Sequence, residues 1–239
     1  MTWREQLEAD GFAFLRGVFS PEAVASILAE WAEVSRANAD HVAFLSSGSG
    51  PAYGARIMLE LWPRVVELVR APVLRDALRE VLGEAAGVTR VLYFDKPPGH
   101  SWALPWHKDY SIAVEGHGNT TCFTKPTVKA GVPHVVAPKE LLDRMLTVRV
   151  HLDDATTENG ALRVIPGSHR NYHQKDDTPR EAVTLNCRAG DVLLMRPLIT
   201  HASGHSKPEV GMHRRILHLE CAADPILPDG YKWKWFAAV

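Results

Sequence analysis

Cysteine is scarce in this chain of 239 residues, and its scarcity excludes two classes of protein. The three cysteines stand at positions 122, 187 and 221. They are too few and too widely spaced for a disulfide framework or for a cysteine-rich zinc site. We therefore interpret them as buried or bystander thiols.

Long apolar runs and blocks of like charge are also missing. The amino terminus mixes charged residues where a signal peptide needs an apolar core, and no later stretch reaches the roughly 18 apolar residues of a membrane span. The formal net charge is −1, with no long run of one sign, so we expect no nucleic-acid partner and no membrane partner. These absences predict a cytoplasmic protein.

The segment from Tyr231 to Phe236 alternates aromatic and basic residues, a pattern that can stack single-stranded nucleic acid. The near-neutral net charge favours another interpretation, in which a tail strand packs its aromatic side chains on the domain or on a second subunit. For the oligomeric state we expect a monomer or a homodimer.

The chain is helical first and β-rich afterwards. Ser20 is a suitable N-cap before Pro21, and apolar residues follow at helical spacing up to Trp31. A second such pattern runs from Pro72 to Gly83. Short β-prone runs separated by turn residues then predict a sandwich or barrel, with these strands: Val88–Phe94, Leu146–Leu152, Leu162–Ile165, Val183–Cys187, Asp191–Met195 and Arg214–Cys221.

The length suits one domain, residues 1–239, with a sizeable core. We expect residues 1–87 to be mostly helical, residues 88–222 to form the β core, and residues 223–239 to form a tail. Residues 111–145 are the least strand-like part of the core and are long for a plain connection. They begin two residues after Asp109, so we expect them to form a lid insertion over a functional site at that residue.

One spacing in the β half indicates a metal site. His107 and Asp109 form a His-x-Asp pair, and His201 follows far along the chain. Two imidazoles and one carboxylate on one face of a metal, with the other positions open, are the ligand set of non-haem Fe(II) oxygenases.

The spacing alone does not identify the pair. The composition predicts fewer than one His-x-Asp by chance, and the chain also contains His151 and Asp153 at this spacing. His218 and Glu220 form a similar pair, but no histidine follows them to complete the set in the same order. His107/Asp109 and His151/Asp153 therefore both remain candidates.

The residues around the first pair resemble a known family. Four segments occur in order and are similar to the phytanoyl-CoA dioxygenase family of the Fe(II)/2-oxoglutarate-dependent oxygenases: Leu92–Gly99, Pro105–Asp109, Glu158–His169 and His201–Gly204. The similarity extends from about Asp10 to Glu220. It implies a mainly β fold with flanking α, a double-stranded β-helix (jelly roll, cupin-like) with N-terminal helices packed on it.

The resemblance implies that His107, Asp109 and His201 are the metal ligands and the catalytic centre. It implies Fe(II), dioxygen and the cosubstrate 2-oxoglutarate, with ascorbate as a supporting reductant. The implied reaction hydroxylates an unactivated carbon of a small molecule and releases succinate and carbon dioxide. Related halogenating enzymes have a small apolar residue in place of the carboxylate, so Asp109 argues against halogenation.

The resemblance also assigns cosubstrate residues. The far carboxylate of 2-oxoglutarate needs a fixed cation, for which the planar fork of arginine suits better than lysine. Arg214 and Arg215 are neighbours on one strand, so only one of them reaches the pocket. The family motif favours Arg214, which shares its face with His218. The resemblance further points to a set of candidate cosubstrate residues: Ser203, Arg149 and Leu92.

The substrate is not identified by these patterns. Alternation at period two places His151 on the face of Arg149, as pocket lining near the metal, with Asp153 as a turn residue. Further candidates for substrate contact are Trp106, His134 and Arg56. For His134 and Arg56, an exposed surface position is the alternative interpretation. Lys96 in a proline-rich turn is interpreted as solvated.

Two functions remain from the sequence. The first is a non-haem iron 2-oxoglutarate-dependent dioxygenase, a hydroxylase. The second is a catalytically silent jelly-roll protein that binds metal or another protein. A third interpretation, a zinc hydrolase with the same ligands, requires a general base at the metal and activity without dioxygen.

Overall fold

A computed structural model describes residues 1–45, 52–118, 121–173 and 182–239 of the chain. The α-helices in these ranges are α1 (Trp3–Asp10), α2 (Pro21–Ala37), α3 (Met58–Leu61), α4 (Pro72–Leu82) and α5 (Lys139–Leu142). Short 3-10 helices cover Pro63–Arg70, Thr157–Asn159, Ser168–Arg170 and Pro228–Gly230. Within these described ranges, no helix has both the length and the apolar character needed to cross a membrane.

Fifteen strands are described, and most of them follow residue 87. They are β1 (Phe12–Leu15), β2 (Phe44–Leu45), β3 (Gly54–Ala55), β4 (Gly87–Phe94), β5 (Leu104–His107), β6 (Ser111–Ala113), β7 (Thr124–Lys129), β8 (Val132–Val136), β9 (Met145–His151), β10 (Leu162–Val164), β11 (Val183–Leu185), β12 (Val192–Met195), β13 (His201–Ser203), β14 (Ile216–Ala222) and β15 (Ala237–Ala238).

Two antiparallel sheets form the body of the fold. The larger sheet has the order β1-β12-β9-β14-β4-β3-β2, with β15 also paired to β4, and the smaller sheet has the order β11-β10-β13-β5. Leu162 and Val164 of the smaller sheet pack against Leu193 and Met195 of the larger one. Two antiparallel sheets that pack on each other through these side chains confirm the predicted jelly roll.

Alternation along the central strands separates an apolar face from a polar one. In β14, Leu217, Leu219 and Cys221 join the main apolar core, so His218 and Glu220 face the space between the sheets. Pairing then sets cross-strand neighbours, with His218 standing between Leu92 of β4 and Arg149 of β9. This inward face carries most of the polar groups of the site.

The N-terminal helices cover the outer face of the larger sheet. Ser20 caps α2, because its hydroxyl accepts a hydrogen bond from the backbone N–H of Ala23 at 3.2 Å. Trp31 on the buried face of α2 lies with its ring centroid 4.7 Å from that of Tyr93 in β4. Both helices expected from the sequence are present, and the six expected strands are present with ends that differ by one or two residues.

The segment 111–145 contains more strand than its sequence suggested. A third sheet, in the order β6-β8-β7, occupies most of it. The pattern was hard to recognise because β7 is exposed over most of its length and includes a register shift between Thr124 and Thr127. The tail packs on this sheet, with Trp233 paired to Val114 and the rings of Tyr231 and Phe123 at 4.4 Å. The interpretation of the tail aromatics as packing residues is therefore confirmed.

Candidate metal and cosubstrate site

His107 and His201 lie opposite each other on paired strands of the smaller sheet. Their ring centroids are 4.1 Å apart. In each ring, Nδ1 bonds to the carbonyl of the residue two places earlier, Pro105 at 2.8 Å and Ile199 at 2.9 Å. A backbone acceptor at Nδ1 fixes the hydrogen there and leaves Nε2 as the free electron-pair donor.

Asp109 completes a compact group with these two imidazoles. The Nε2 atom of His107 lies 3.8 Å from Asp109 Oδ1, and that of His201 lies 3.7 Å from Oδ2. Two ligands of one ion can lie up to about 4.2 Å apart when each bond measures about 2.1 Å. The backbone N–H of Asp109 is anchored to the carbonyl of Pro197 at 3.0 Å. The three side chains are thus held where one metal ion can contact all of them.

The protonation states of these groups favour metal binding. Burial alone raises the pKa of Asp109, but His201, His218 and His107 outweigh it and lower that pKa to about 2. Burial lowers the pKa of His201 to about 3, although Asp109 opposes this shift. Near neutral pH, an ionised carboxylate therefore stands beside a neutral imidazole, and these are the forms that coordinate a metal.

An unsatisfied atom in this group also fits a metal. Asp109 Oδ2 is buried and has no hydrogen-bond partner among the described residues. A buried carboxylate oxygen without a donor is costly unless a cation satisfies it. The donor set of two nitrogens and one carboxylate suits a divalent transition metal such as Fe(II).

The rival pair does not form such a group. His151 is buried, and neither of its ring nitrogens has a hydrogen-bond partner in the described part of the chain. Asp153, expected as a turn residue, lies in a bend after β9 and forms a two-point ion pair with Arg215 at 2.8 and 2.7 Å. The sequence left two His-x-Asp pairs as candidates. In the structure, His107 and Asp109 form a group with His201.

Arg214 and Arg215 have opposite environments. Arg215 is about half-buried and fully engaged by Asp153. Arg214 is 1% exposed, and its Nε and Nη1 atoms have no partner in the described residues. Burial and the nearby Arg149 lower the pKa of Arg214 to about 9, so the side chain is still charged at neutral pH. A buried cation with unused donors is suited to a ligand carboxylate.

Two further basic side chains lie beside Arg214. The interpretation of Lys96 as solvated was wrong, because its side chain is fully buried and its ammonium group donates to Ser203 Oγ at 3.2 Å and to the carbonyl of Gly204. Burial, Arg214 and Arg149 lower the pKa of Lys96 to about 7. Arg149 lies on the inward face of β9, with Nη1 3.1 Å from His218 Nδ1. Ser203, Arg149 and Arg214 therefore surround one positively charged interior region.

Sequence reasoning missed a second layer of residues behind Asp109. His218 Nε2 lies 3.9 Å from Asp109 Oδ2 and 3.7 Å from Glu220 Oε1. Arg90 on β4 holds Glu220 through a buried ion pair. His218 was set aside because no histidine follows it. The inward alternation of Arg214, His218 and Glu220 was the signal that could have found this layer.

An open cleft of about 640 Å³ exposes His107 and Asp109. Leu92 and Arg56, both named from the sequence, line it. Trp106 instead contacts Arg163 at 5.4 Å, and it does not line the cleft. His134 is buried rather than exposed, with Nδ1 bonded to the carbonyl of Val132 at 2.9 Å, and it does not line the cleft either.

The fold and the three clustered side chains define a jelly-roll protein of the class with two histidines and one carboxylate as metal ligands. Comparison with known families is consistent with that class. The family model described as phytanoyl-CoA dioxygenase matches residues 7–209. The chain belongs to this family.

Individual relatives agree with the family. Ectoine dioxygenase of Bordetella bronchiseptica is 30% identical over 181 residues, which cover 74% of this chain and 52% of the relative. An iron/alpha-ketoglutarate-dependent dioxygenase, ausU of Aspergillus calidoustus, is 37% identical over 68 residues, which cover 28% of this chain and 23% of the relative. The chain spans about half the length of the ectoine dioxygenase that it matches.

Solved structures show the same fold. EctD from S. alaskensis with bound Fe has a TM-score of 0.71 at 20% identity, covering 93% of this chain and 76% of that chain. AviO1 from Streptomyces viridochromogenes Tue57 has a TM-score of 0.63 at 22% identity, covering 95% of each chain.

Proposed function

We propose that this protein is an Fe(II)- and 2-oxoglutarate-dependent dioxygenase that hydroxylates an unactivated carbon of a small molecule. Family membership supports the proposal, as do the names of relatives described as dioxygenases. The observation that carries the proposal is that two buried charged groups in the protein interior have atoms without hydrogen-bond partners among the described residues. Among the residues that the structure describes, Asp109 Oδ2 has no hydrogen-bond partner, and neither have Nε and Nη1 of the buried Arg214.

These two unsatisfied groups suggest which residues would hold Fe(II) and which would bind 2-oxoglutarate. His107, Asp109 and His201 would hold Fe(II), and Arg214 would bind the far carboxylate of 2-oxoglutarate. Ser203 lies beside Lys96 in the same charged region and would position this carboxylate by a second hydrogen bond. Arg149 would contribute positive charge from the neighbouring strand. Leu92 would form an apolar wall of the cleft, where it excludes water from the metal.

When bound, iron and 2-oxoglutarate supply the oxidative chemistry, in which dioxygen gives one oxygen atom to the substrate hydroxyl and one to succinate, with loss of carbon dioxide. The residues of the protein hold the metal, orient the cosubstrate and admit the substrate through the cleft. Asp109 occupies a ligand position that a halide would need, so the proposal is hydroxylation and not halogenation.

Succinate formation tests the proposal. Purified protein is given Fe(II), ascorbate, 2-oxoglutarate and dioxygen, and succinate is measured with and without each component. We expect succinate that depends on iron, on 2-oxoglutarate and on dioxygen, because many such reactions proceed slowly even without the primary substrate.

The other functions predict different results. A catalytically silent metal-binding or interaction protein binds Fe(II) at His107, Asp109 and His201 but forms no succinate. A zinc hydrolase is active with Zn²⁺ in the absence of dioxygen. Either result would replace the proposed oxygenase. Cytoplasmic location, and a monomeric or homodimeric state, stay predictions from the sequence.

A further inference from the structure

The charges that line the cleft above His107 and Asp109 are unbalanced. Four basic side chains of lysine or arginine line it, whereas Asp109 is its one acidic lining residue among those described. The basic residues are Arg56, Arg90, Lys108 and Lys129. Because Asp109 belongs to the metal-binding group, its charge is committed to the metal in the proposed enzyme.

Two of these cations are already engaged away from the cleft. Arg90 is paired with Glu220, with Nε donating to Oε2 at 2.9 Å. The ammonium group of Lys108 donates to the backbone carbonyls of Ser168 and Leu198 at 2.7 and 2.8 Å. Neither group is therefore a free anchor for a ligand.

Arg56 and Lys129 differ from these two residues. In the described ranges, neither forms an ion pair with an acidic side chain, and the ammonium group of Lys129 makes one weak contact to Ser111 Oγ at 3.3 Å. Burial and the charge of Arg90 lower the pKa of both groups, and Arg56 further lowers the pKa of Lys129. Two partly buried basic groups thus line one cleft without an acidic partner in the described ranges, an arrangement that an anion would stabilise.

The two cations come from separate parts of the fold. Arg56 follows β3 of the larger sheet, and Lys129 ends β7 in the third sheet. Part of the lining of the same cleft is aromatic, with Tyr53, Phe94 and Trp102. The ring of Trp102 lies 5.7 Å from that of Tyr53 and 5.9 Å from that of Phe94, measured between centroids. The cleft therefore combines a positive region with an apolar, aromatic surface.

We propose that Arg56 and Lys129 form an anion-binding subsite for the primary substrate, which is a small molecule with a carboxylate or phosphate group and an apolar body. This inference rests on the proposed function, because it assigns the substrate class of the same cleft. The cleft volume of about 640 Å³ is in the range of ligand pockets and limits the substrate to a small molecule.

Binding of matched probes tests this subsite. Protein loaded with Fe(II) and saturated with 2-oxoglutarate is kept free of dioxygen, so that Arg214 is already occupied. Phenylacetate, phenyl phosphate and the neutral analogue phenylacetamide are then titrated by calorimetry and by ligand-observed NMR. The double variant R56Q/K129Q is compared with R75Q/K125Q, which removes the same charge from positions that do not line the cleft.

We expect at least one of the two anions to bind about tenfold more tightly than phenylacetamide, a preference expected of charge-assisted hydrogen bonds. The preference should vanish in R56Q/K129Q and persist in R75Q/K125Q. Which anion is preferred distinguishes a carboxylate substrate from a phosphate substrate. Absence of any anion preference in the wild type, or its persistence in R56Q/K129Q, overturns the inference.

The affinity for 2-oxoglutarate separates this inference from the proposed function. It should be the same in the wild type and in R56Q/K129Q. If it falls in R56Q/K129Q, the two cations serve the cosubstrate and the subsite assignment is wrong. If the iron-loaded wild type binds no 2-oxoglutarate while it still prefers the anionic probe, the proposed function fails and the anion subsite stands.

Discussion

At the scale of single residues, the site depends on buried polar groups whose partners are missing. Asp109 Oδ2 lacks a hydrogen bond in the described chain, and so do Nε and Nη1 of Arg214. Such groups cost stability in the free protein, since burial removes their water without replacing it. Their retention is consistent with a metal and an anionic cosubstrate that satisfy them.

Removal of one metal ligand should abolish metal binding. His107→Ala takes away one of three donors, so we expect Fe(II) affinity to fall by at least about 100-fold by equilibrium dialysis. His151→Ala, at the rival pair, should retain the metal and change turnover or 2-oxoglutarate affinity instead. Normal metal binding by His107→Ala with loss in His151→Ala would move the site to the second pair.

The two neighbouring arginines should separate cosubstrate binding from stability. In Arg214→Gln we expect the Kd for 2-oxoglutarate to rise about 100-fold, because a charge-assisted contact to the carboxylate is lost. The same variant should unfold at equal or higher urea concentration than the wild type when ligand-free, since an unpaired buried charge is gone.

Arg215→Gln is the matched control. It should bind 2-oxoglutarate normally and lose up to about 1 kcal/mol of stability, because its partly exposed ion pair with Asp153 is broken. A large change in 2-oxoglutarate affinity in Arg215→Gln alone would reverse the assignment of the two residues.

At the scale of elements, paired strands bring distant residues together. β5 and β13 place His107 opposite His201, and β14 aligns His218 between β4 and β9. The alternation that leads into β14 predicts Arg214 and His218 on one face, and both are buried, as is Glu220. The conformation of the Lys96 turn could not be predicted, because its burial depends on contacts with Gly160 and Gly204 from remote loops.

The strands that escaped prediction share a physical reason. β1, β5 and β13 have only three or four residues and contain no β-branched residue, whereas the equally short β10, β11 and β12 each contain valine. The sheet in segment 111–145 was hidden by the exposed, polar sequence of β7. Resemblance to a family therefore singled out the three side chains that the structure clusters, which strand patterns did not, whereas the core strands β9 and β14 followed from composition and alternation.

The hairpin that carries Lys129 contains a backbone conformation that its sequence does not favour. Ala130 and Gly131 connect β7 to β8 with φ values of 49° and 79°. Two successive positive φ angles in a two-residue loop are typical of a type I′ turn, where asparagine or glycine is preferred at the first position. Ala130→Asn should therefore stabilise the protein by about 0.5 kcal/mol.

Urea unfolding measures this effect, with Ala130→Val as the opposing variant, because a β-branched side chain is less compatible with a positive φ. We expect Ala130→Val to be less stable than the wild type. Equal stability of all three proteins would show that the loop adopts another conformation in solution.

At the scale of the whole molecule, several imidazoles are enclosed in the interior. Burial lowers the pKa of His134 to about 4 and that of His201 to about 3, and it lowers the pKa of His151 well below 6.5. The unfolded chain binds protons at these groups as pH falls below 6.5, whereas the folded metal-free protein does not. Stability therefore decreases as pH falls.

Each such histidine contributes a slope of about 1.4 kcal/mol per pH unit between its unfolded and folded pKa values. We expect the free energy of unfolding of the metal-free protein to fall steeply between about pH 6 and pH 4, measured by urea titrations. His134→Gln should reduce this slope by about 1.4 kcal/mol per pH unit, the contribution of one histidine. The control His205→Gln, at an exposed position, should leave the slope unchanged. A slope that is the same in His134→Gln and in the wild type would contradict this account of acid sensitivity.

The central claim is that a metal held by three side chains and the guanidinium of Arg214 bind one molecule of 2-oxoglutarate together. Calorimetric titration of 2-oxoglutarate, without dioxygen, into wild-type protein with and without Fe(II) tests it most directly. We expect one-to-one binding with iron, much weaker binding without iron, and loss of binding in both His107→Ala and Arg214→Gln. Failure of the iron-loaded wild type to bind 2-oxoglutarate, or equally tight binding in Arg214→Gln, would contradict the claim.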